Sequence, residues 1–176
     1  MNIFGEIGII RDHLYYRVIK RTRPVTIHTE CLHKENVWKA AQEFVNSGRK
    51  AIWFVVTPVN FDFISVESGC HMKKSEWENV VLERYKWLQS HGQTIELHVH
   101  LRVKMVLYDT ESEADEDVEG KVNGAYKWLK DNGFSPSKIV FGWWSCNQHA
   151  IDVARENGLQ TAKRLDNYFI HDYDLL

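Results

Sequence analysis

Hydrophobic positions recur at helical spacing in four stretches of the chain. In each stretch apolar residues lie three or four positions apart, and a glycine follows the last of them. In the second stretch Ser75 and Glu78 have the spacing of a capping box, so we expect that helix to begin at Ser75. The predicted helices cover residues 36–46, 75–90, a segment that begins within 113–119 and ends at Gly133, and 147–157.

Five shorter apolar runs alternate with these helices. Each has the length of a strand, and several are rich in β-branched or aromatic residues. The run at 51–57 is continuously apolar, as expected of a parallel strand covered on both faces. The alternation predicts an α/β fold with a parallel sheet, which is either open and doubly wound or forms a closed or partly closed (β/α) barrel. The predicted strands are residues 25–29, 51–57, 94–103, 138–144 and 159–165.

The chain has the length of one domain. It contains 176 residues, and no stretch rich in proline or serine separates two parts of it. We therefore expect a single domain over 1–176, with an N-terminal helical extension at 1–23 and the α/β barrel at 24–176.

Charge and composition exclude several classes of partner. The net charge of -2, without a basic stripe, is unlike that of a nucleic-acid-binding protein. No run of about 18 apolar residues suggests a membrane span, and the first residues lack the basic region of a secretory signal. The three cysteines are scattered and fit a reducing compartment. We expect a cytoplasmic protein that binds neither nucleic acid nor membrane and that could form a homo-oligomer.

The predicted strand 94–103 carries polar residues on one face. Side chains alternate along a strand, so Ile95, Leu97, Val99 and Leu101 share one face and the polar residues share the other. Unpartnered charge on a buried face costs several kcal/mol or more, so these groups need a metal ion, a substrate or an ion-pair network. The polar residues are Glu96, His98, His100 and Arg102.

The first predicted strand ends in a second pair of this kind. His28 and Glu30 are two positions apart, at the end of the strand where α/β folds place their sites. Together with His98 and His100 they offer the imidazole and carboxylate donors that bind zinc and similar divalent ions. The alternative is a buried hydrogen-bond network of the same histidines and glutamate.

Several segments resemble the polysaccharide deacetylase (NodB-homology) family of metal-dependent carbohydrate esterases. In that family the first strand ends in Thr-Phe-Asp-Asp-Gly, and the third strand resembles Glu-Ile-Gly-Leu-His. Next come a helix that ends near Gly-Phe-x-Pro and a strand that carries Arg-x-Pro-Tyr. A further helix then ends in Asn-Gly-Leu. The resemblance covers roughly residues 24–165 and implies an irregular (β/α) barrel. The matching segments are residues 26–30, 94–100, 132–136, 141–144 and 157–159.

This sequence departs from the family at the motifs that carry chemistry. His28 and Thr29 stand where the family has its base and metal-binding aspartates. Arg102 stands where the second metal histidine belongs, so His100 would serve instead. The arginine and proline expected before Trp144 are absent, and the late Leu-His motif has only the counterpart Ile170-His171.

The resemblance implies a hydrolase that removes the acyl group from an N-acyl, amino-sugar-like substrate by means of metal-activated water. In this interpretation Glu30 is the catalytic base, with Glu96 the other carboxylate considered, and His171 is the general acid. His28, His98 and His100 bind the metal, which we expect to be zinc. The substrate, a carbohydrate or another small molecule, would contact Glu96, Arg102, Trp143 and Trp144.

Two other functions fit the same residues. The altered motifs would suit a catalytically inactive protein of the deacetylase fold, with a carbohydrate-binding or interaction role. A different barrel enzyme, such as an amidohydrolase-like metal hydrolase, would place its His-x-His on the first strand, whereas here it lies on the third.

Overall fold

A computed structural model describes residues 25–101, 117–142 and 146–161 of the chain, together with the backbone of residues 169–171. The predicted N-terminal helix at 1–23 lies outside the described residues, as do Arg102, Trp143 and Trp144.

The described strands form one six-stranded parallel sheet. Its order is β5-β4-β3-β2-β1-β6, so the first three strands lie side by side in its middle. Among the described residues β5 and β6 are the two edges and do not pair with each other. The predicted α/β fold with parallel strands is confirmed. The strands are β1 (Val25–Thr29), β2 (Ala51–Val55), β3 (Thr94–Val99), β4 (Lys138–Phe141), β5 (Gln160–Thr161) and β6 (Phe169–His171).

Helices connect the strands as the hydrophobic spacing predicts, with one addition. A 3-10 helix at Pro58–Asn60 leads directly into a short helix, and neither was predicted. Both helices are short, so they contain too few apolar positions to show a helical period in the sequence. The α-helices are α1 (Glu35–Asn46), α2 (Phe61–Glu67), α3 (Lys74–Ser90), α4 (Val118–Asp131) and α5 (Gln148–Glu156). None of the helices described is both long and apolar enough to span a membrane.

The helix starts show which polar residues act as caps. The Asn147 side chain accepts from the backbone N–H of Ala150 at 2.8 Å, which caps α5. The capping box predicted at Ser75 is wrong, because α3 begins one residue earlier and its N-cap is Lys73, which makes no side-chain cap bond. Ser75 therefore lies within the first turn, where its hydroxyl does not occupy the capping position.

The hydrophobic core lies between the sheet and the helices. Side chains of four strands and of α3 are fully buried in it: Ile27, Trp53, Leu97, Ile139, Trp77 and Leu88.

A row of polar and aromatic residues crosses the middle strands. The register pairs His28 of β1 with Phe54 of β2, and Phe54 with Glu96 of β3. Two residues further along β3, His98 pairs with Val140 of β4. Since paired residues of parallel strands lie on the same face, the polar residues lie on the face opposite Leu97 and Ile139.

Candidate metal centre

Three potential metal ligands meet at the carboxyl ends of β1 and β3. Glu30 directly follows β1, His98 lies in β3, and His100 directly follows it. Glu30 Oε1 lies 2.8 Å from His100 Nε2 and 4.0 Å from His98 Nε2. One donor atom from each residue lies within 4.8 Å of the other two, and we call these three residues the metal group.

The separations in the metal group fit one divalent ion. Zinc binds nitrogen and oxygen at 2.0–2.2 Å, so neighbouring ligands of a tetrahedral ion lie about 3.4 Å apart. The two separations from Glu30 Oε1, 2.8 Å and 4.0 Å, lie on either side of that value. Two imidazoles and one carboxylate form a typical zinc donor set, and three protein ligands leave a coordination position open.

The metal group is buried on the histidine side and reaches solvent on the carboxylate side. The side chains of His98 and His100 are 1% and 2% exposed, and that of Glu30 is 18% exposed. The two imidazole rings stack with their centroids 4.6 Å apart, since residues two positions apart along an extended chain face the same side. A small molecule would therefore approach the group past Glu30.

His28 lies beside the metal group without belonging to it. Its ring is buried, and its centroid lies 5.1 Å from that of His98 and 5.6 Å from that of Phe54. Of the predicted ligands His28, His98 and His100, the structure brings His98 and His100 together, with Glu30 as the third member of the group. In the neighbouring strand β6 the residue in register with His28 is His171, of which the backbone is described.

Glu96 shares the face of the two histidines but is not brought to the metal group. Its carboxylate accepts from the backbone N–H groups of Ser137 and Lys138, both at 2.7 Å, and from the Ser137 hydroxyl at 2.8 Å. These contacts join β3 to the start of β4. The carboxylate predicted to bind substrate therefore holds two strands together.

Three residues around His100 were not predicted from the sequence. Asn60 donates from Nδ2 to the His100 carbonyl at 2.7 Å, and its Oδ1 accepts from the His100 N–H at 3.3 Å. The Phe63 ring stacks on the His100 ring at 4.3 Å. A methyl group at Gly142 would lie 2.1 Å from Nδ1 of His100. The glycine within the predicted strand 138–144 was the one available signal, since a strand glycine often marks a close approach.

His33 is a half-buried histidine outside the metal group. Burial, followed by the charges of Lys34 and Arg84, lowers its pKa to about 4, while a hydrogen bond with the backbone of Glu30 opposes this shift. Its Nε2 lies 3.5 Å from the Ser68 hydroxyl. The ring is therefore neutral at pH 7 and belongs to the packing of the loop after β1.

No family model matches the chain, and no curated protein matches it. Solved structures do resemble it. A family 4 carbohydrate esterase from Streptomyces lividans, in complex with acetate, aligns with a TM-score of 0.56 and 10% identity, over 85% of this chain and 78% of that one.

A CE4 family pseudoenzyme from Bacillus anthracis aligns with a TM-score of 0.51 and 9% identity, over 79% of this chain and 42% of that one. A mutant of that pseudoenzyme with restored enzymatic activity aligns with a TM-score of 0.52 and 10% identity, over 78% and 42% of the two chains. This chain thus spans less than half of their length.

These likenesses identify the fold. At 9–10% identity a shared fold does not establish a shared activity. The chain has the fold of the family 4 carbohydrate esterases, the irregular and partly closed (β/α) barrel implied by the segments at 26–30 and 94–100. The resemblance to the polysaccharide deacetylase family is confirmed at this level.

Proposed function

We propose that this protein is a metal-dependent hydrolase that removes the acyl group from an N-acyl, amino-sugar-like substrate. The observation that carries the proposal is the metal group, whose three potential ligand atoms lie within 4.8 Å of one another at the carboxyl ends of β1 and β3. Fold alone would not support an activity, because the same fold occurs in a pseudoenzyme.

We assign Glu30, His98 and His100 as the ligands of a divalent ion, with zinc the ion that suits them best. A bound zinc ion would lower the pKa of a water molecule towards ~7 and polarise the acyl oxygen. This assignment moves Glu30 from the role of base to that of ligand, since its carboxylate lies 2.8 Å from His100 Nε2.

His28 then becomes the residue that accepts the proton from the attacking water. Its ring lies against His98. In the sequence it stands where the motif of the deacetylase family has its aspartate base, a position that supports this role. A neutral histidine can take a proton near neutral pH, as a general base must. His171, the register neighbour of His28, remains our proposed donor to the leaving amine.

The acyl group that we propose is acetyl. The Streptomyces esterase with this fold was solved with acetate, which hydrolysis of an N-acetyl group would release. The same likeness supports our proposal of a carbohydrate substrate. We retain Arg102, Trp143 and Trp144 as proposed substrate contacts, whereas the hydrogen bonds of Glu96 favour a structural role for that residue.

Acetate release tests the proposal. The full chain would be stripped with a chelator, reloaded with zinc or cobalt, and incubated with N-acetylglucosamine and its short oligomers. We expect acetate from the reloaded protein and none from the stripped protein. The variant His98→Ala/His100→Ala should release none with either metal, because it lacks two of the three ligands.

The matched control is His71→Ala/His149→Ala, which removes two exposed histidines outside the metal group. It should retain the activity of the parent. Metal-loaded parent protein that binds these sugars without releasing acetate would contradict the hydrolase and favour the alternative of an inactive carbohydrate-binding protein.

A further inference from the structure

His100 is the member of the metal group that lies beyond the end of its strand. β3 ends at Val99, so the sheet ladder no longer fixes the next peptide. The Asn60 side chain supplies that constraint, because it binds both the carbonyl and the N–H of His100. Asn60 is itself buried and is carried by the 3-10 helix Pro58–Asn60.

The imidazole of His100 is also confined. The Phe63 ring stacks on it with a centroid distance of 4.3 Å and an angle of 23° between the planes. His98 stacks on it as well, at 4.6 Å. Because two rings pack against it, a rotation that releases the imidazole from Glu30 would cost packing with both neighbours.

Gly142 provides the space that the ring occupies. The register of β3 on β4, continued by one residue, places Gly142 beside His100. A Cβ atom there would lie 2.1, 2.3 and 2.5 Å from Nδ1, Cε1 and Cγ of the ring. Gly142 is not among the glycines with positive φ, so the requirement is for space and not for backbone conformation.

We propose that Asn60 and Gly142 are positioning residues that fix the His100 imidazole where its Nε2 can bind a metal ion together with Glu30 and His98. The metal-binding part rests on the proposed function. The fixed ring is pre-organised, so the site needs little reordering when an ion binds. In known metal sites, loss of a residue that orients a ligand lowers metal affinity by ~10–100-fold.

A double-mutant cycle without metal tests the placement of the ring. The parent, Gly142→Ala, His100→Ala and the double variant would be unfolded with urea in the presence of a chelator. We expect Gly142→Ala to lower the midpoint clearly in the parent background and to change it little in the His100→Ala background, because the added methyl then meets no ring. Equal decreases in both backgrounds would overturn the proposal.

Zinc titration tests the consequence for binding. Folded Gly142→Ala and Asn60→Asp should bind zinc ~10–100-fold more weakly than the parent, with an altered visible spectrum of the cobalt-loaded forms. Asn60→Asp keeps the acceptor for the His100 N–H and loses the donor to the His100 carbonyl. This variant tests the proposal even if Gly142→Ala fails to fold. Unchanged affinity in the folded variants would overturn the proposal.

The control for alanine at a glycine position is Gly124→Ala in α4, where the new methyl would meet only Val59 at 3.3 Å. It should bind zinc like the parent. A parent that binds no metal would refute the proposed function but not the placement of His100, which the urea cycle measures independently. The two failures are therefore distinguishable.

Discussion

The two ends of the polar face of β3 have different surroundings. At the start of the strand, Glu96 is enclosed by three hydrogen-bond donors from Ser137 and Lys138. At its carboxyl end, His98 and His100 lie close to Glu30, whose carboxylate is a third potential metal ligand. The three described polar residues of this face thus separate into a structural contact at Glu96 and a candidate metal centre at His98 and His100.

The difference shows how a buried polar residue can be assigned. Glu96 and His98 are both buried and share a face, so burial and alternation do not distinguish them. The chemistry of the neighbouring groups distinguishes them. N–H and O–H groups donate hydrogen bonds to a carboxylate, whereas imidazoles clustered with a carboxylate can bind a cation. The contrast can be tested by removing each group separately.

The largest effect on stability should come from Glu96→Ala. It leaves the N–H groups of Ser137 and Lys138 without their acceptor, and we expect a loss of ~3–5 kcal/mol in the free energy of unfolding. Glu96→Gln keeps the size of the side chain and should lose less. Urea unfolding measures the stability of both variants.

Zinc titration of the same two variants is the control. Neither folded variant should change zinc affinity by more than about twofold. A large loss of metal binding would mean that Glu96 acts at the metal centre.

Glu30→Gln should show the opposite behaviour. It removes the charged ligand from the metal group, and we expect zinc affinity to fall ~100-fold, which corresponds to ~2.7 kcal/mol. The free energy of unfolding of the metal-free protein should change by no more than about 1 kcal/mol, because Glu30 is partly exposed. Calorimetric titration and urea unfolding of the same sample measure both quantities. A strongly destabilised variant with unchanged zinc affinity would reverse the assignment.

A smaller effect distinguishes His33 from the histidines of the metal group. Its pKa is about 4 in the folded protein and 6.5 in the reference state, so the unfolded chain takes up the proton first as pH falls. Its contribution to stability is therefore complete above pH ~6.5 and is lost towards pH ~4. Solvent screening around the half-buried ring limits the loss to ~1–2 kcal/mol.

The measurement is the free energy of unfolding from pH 7 to pH 4 in the parent and in His33→Gln, both without metal. The parent should lose more stability than the variant over this range. Identical pH profiles would show that His33 is protonated as easily in the folded protein as in the unfolded chain.

Much of the fold follows from local patterns in the sequence. The alternation of apolar strands with amphipathic helices predicts the parallel sheet, and alternation within residues 94–100 places Glu96, His98 and His100 on one face. The end of β1 predicts that Glu30 lies near them, since the carboxyl ends of parallel strands meet at one edge. These features depend on short sequence intervals and on rules common to all parallel sheets.

The remaining features depend on distant contacts that leave little local signal. Glu96 meets Ser137 across 41 residues, and Asn60 meets His100 across 40. The short helices at Pro58–Asn60 and Phe61–Glu67 have no clear hydrophobic period, so the residues that hold His100 were missed. For the same reason spacing alone could not predict that Glu30, and not His28, lies with His98 and His100 in the metal group.

The central claim is that Glu30, His98 and His100 bind one divalent ion. Elemental mass spectrometry of protein purified without a metal-binding tag or chelator tests it most directly, with His98→Ala/His100→Ala measured in parallel. The account predicts close to one equivalent of zinc or a similar transition ion in the parent and almost none in the folded variant. A parent that contains less than about a tenth of an equivalent, even after incubation with zinc, cobalt and nickel, would contradict it.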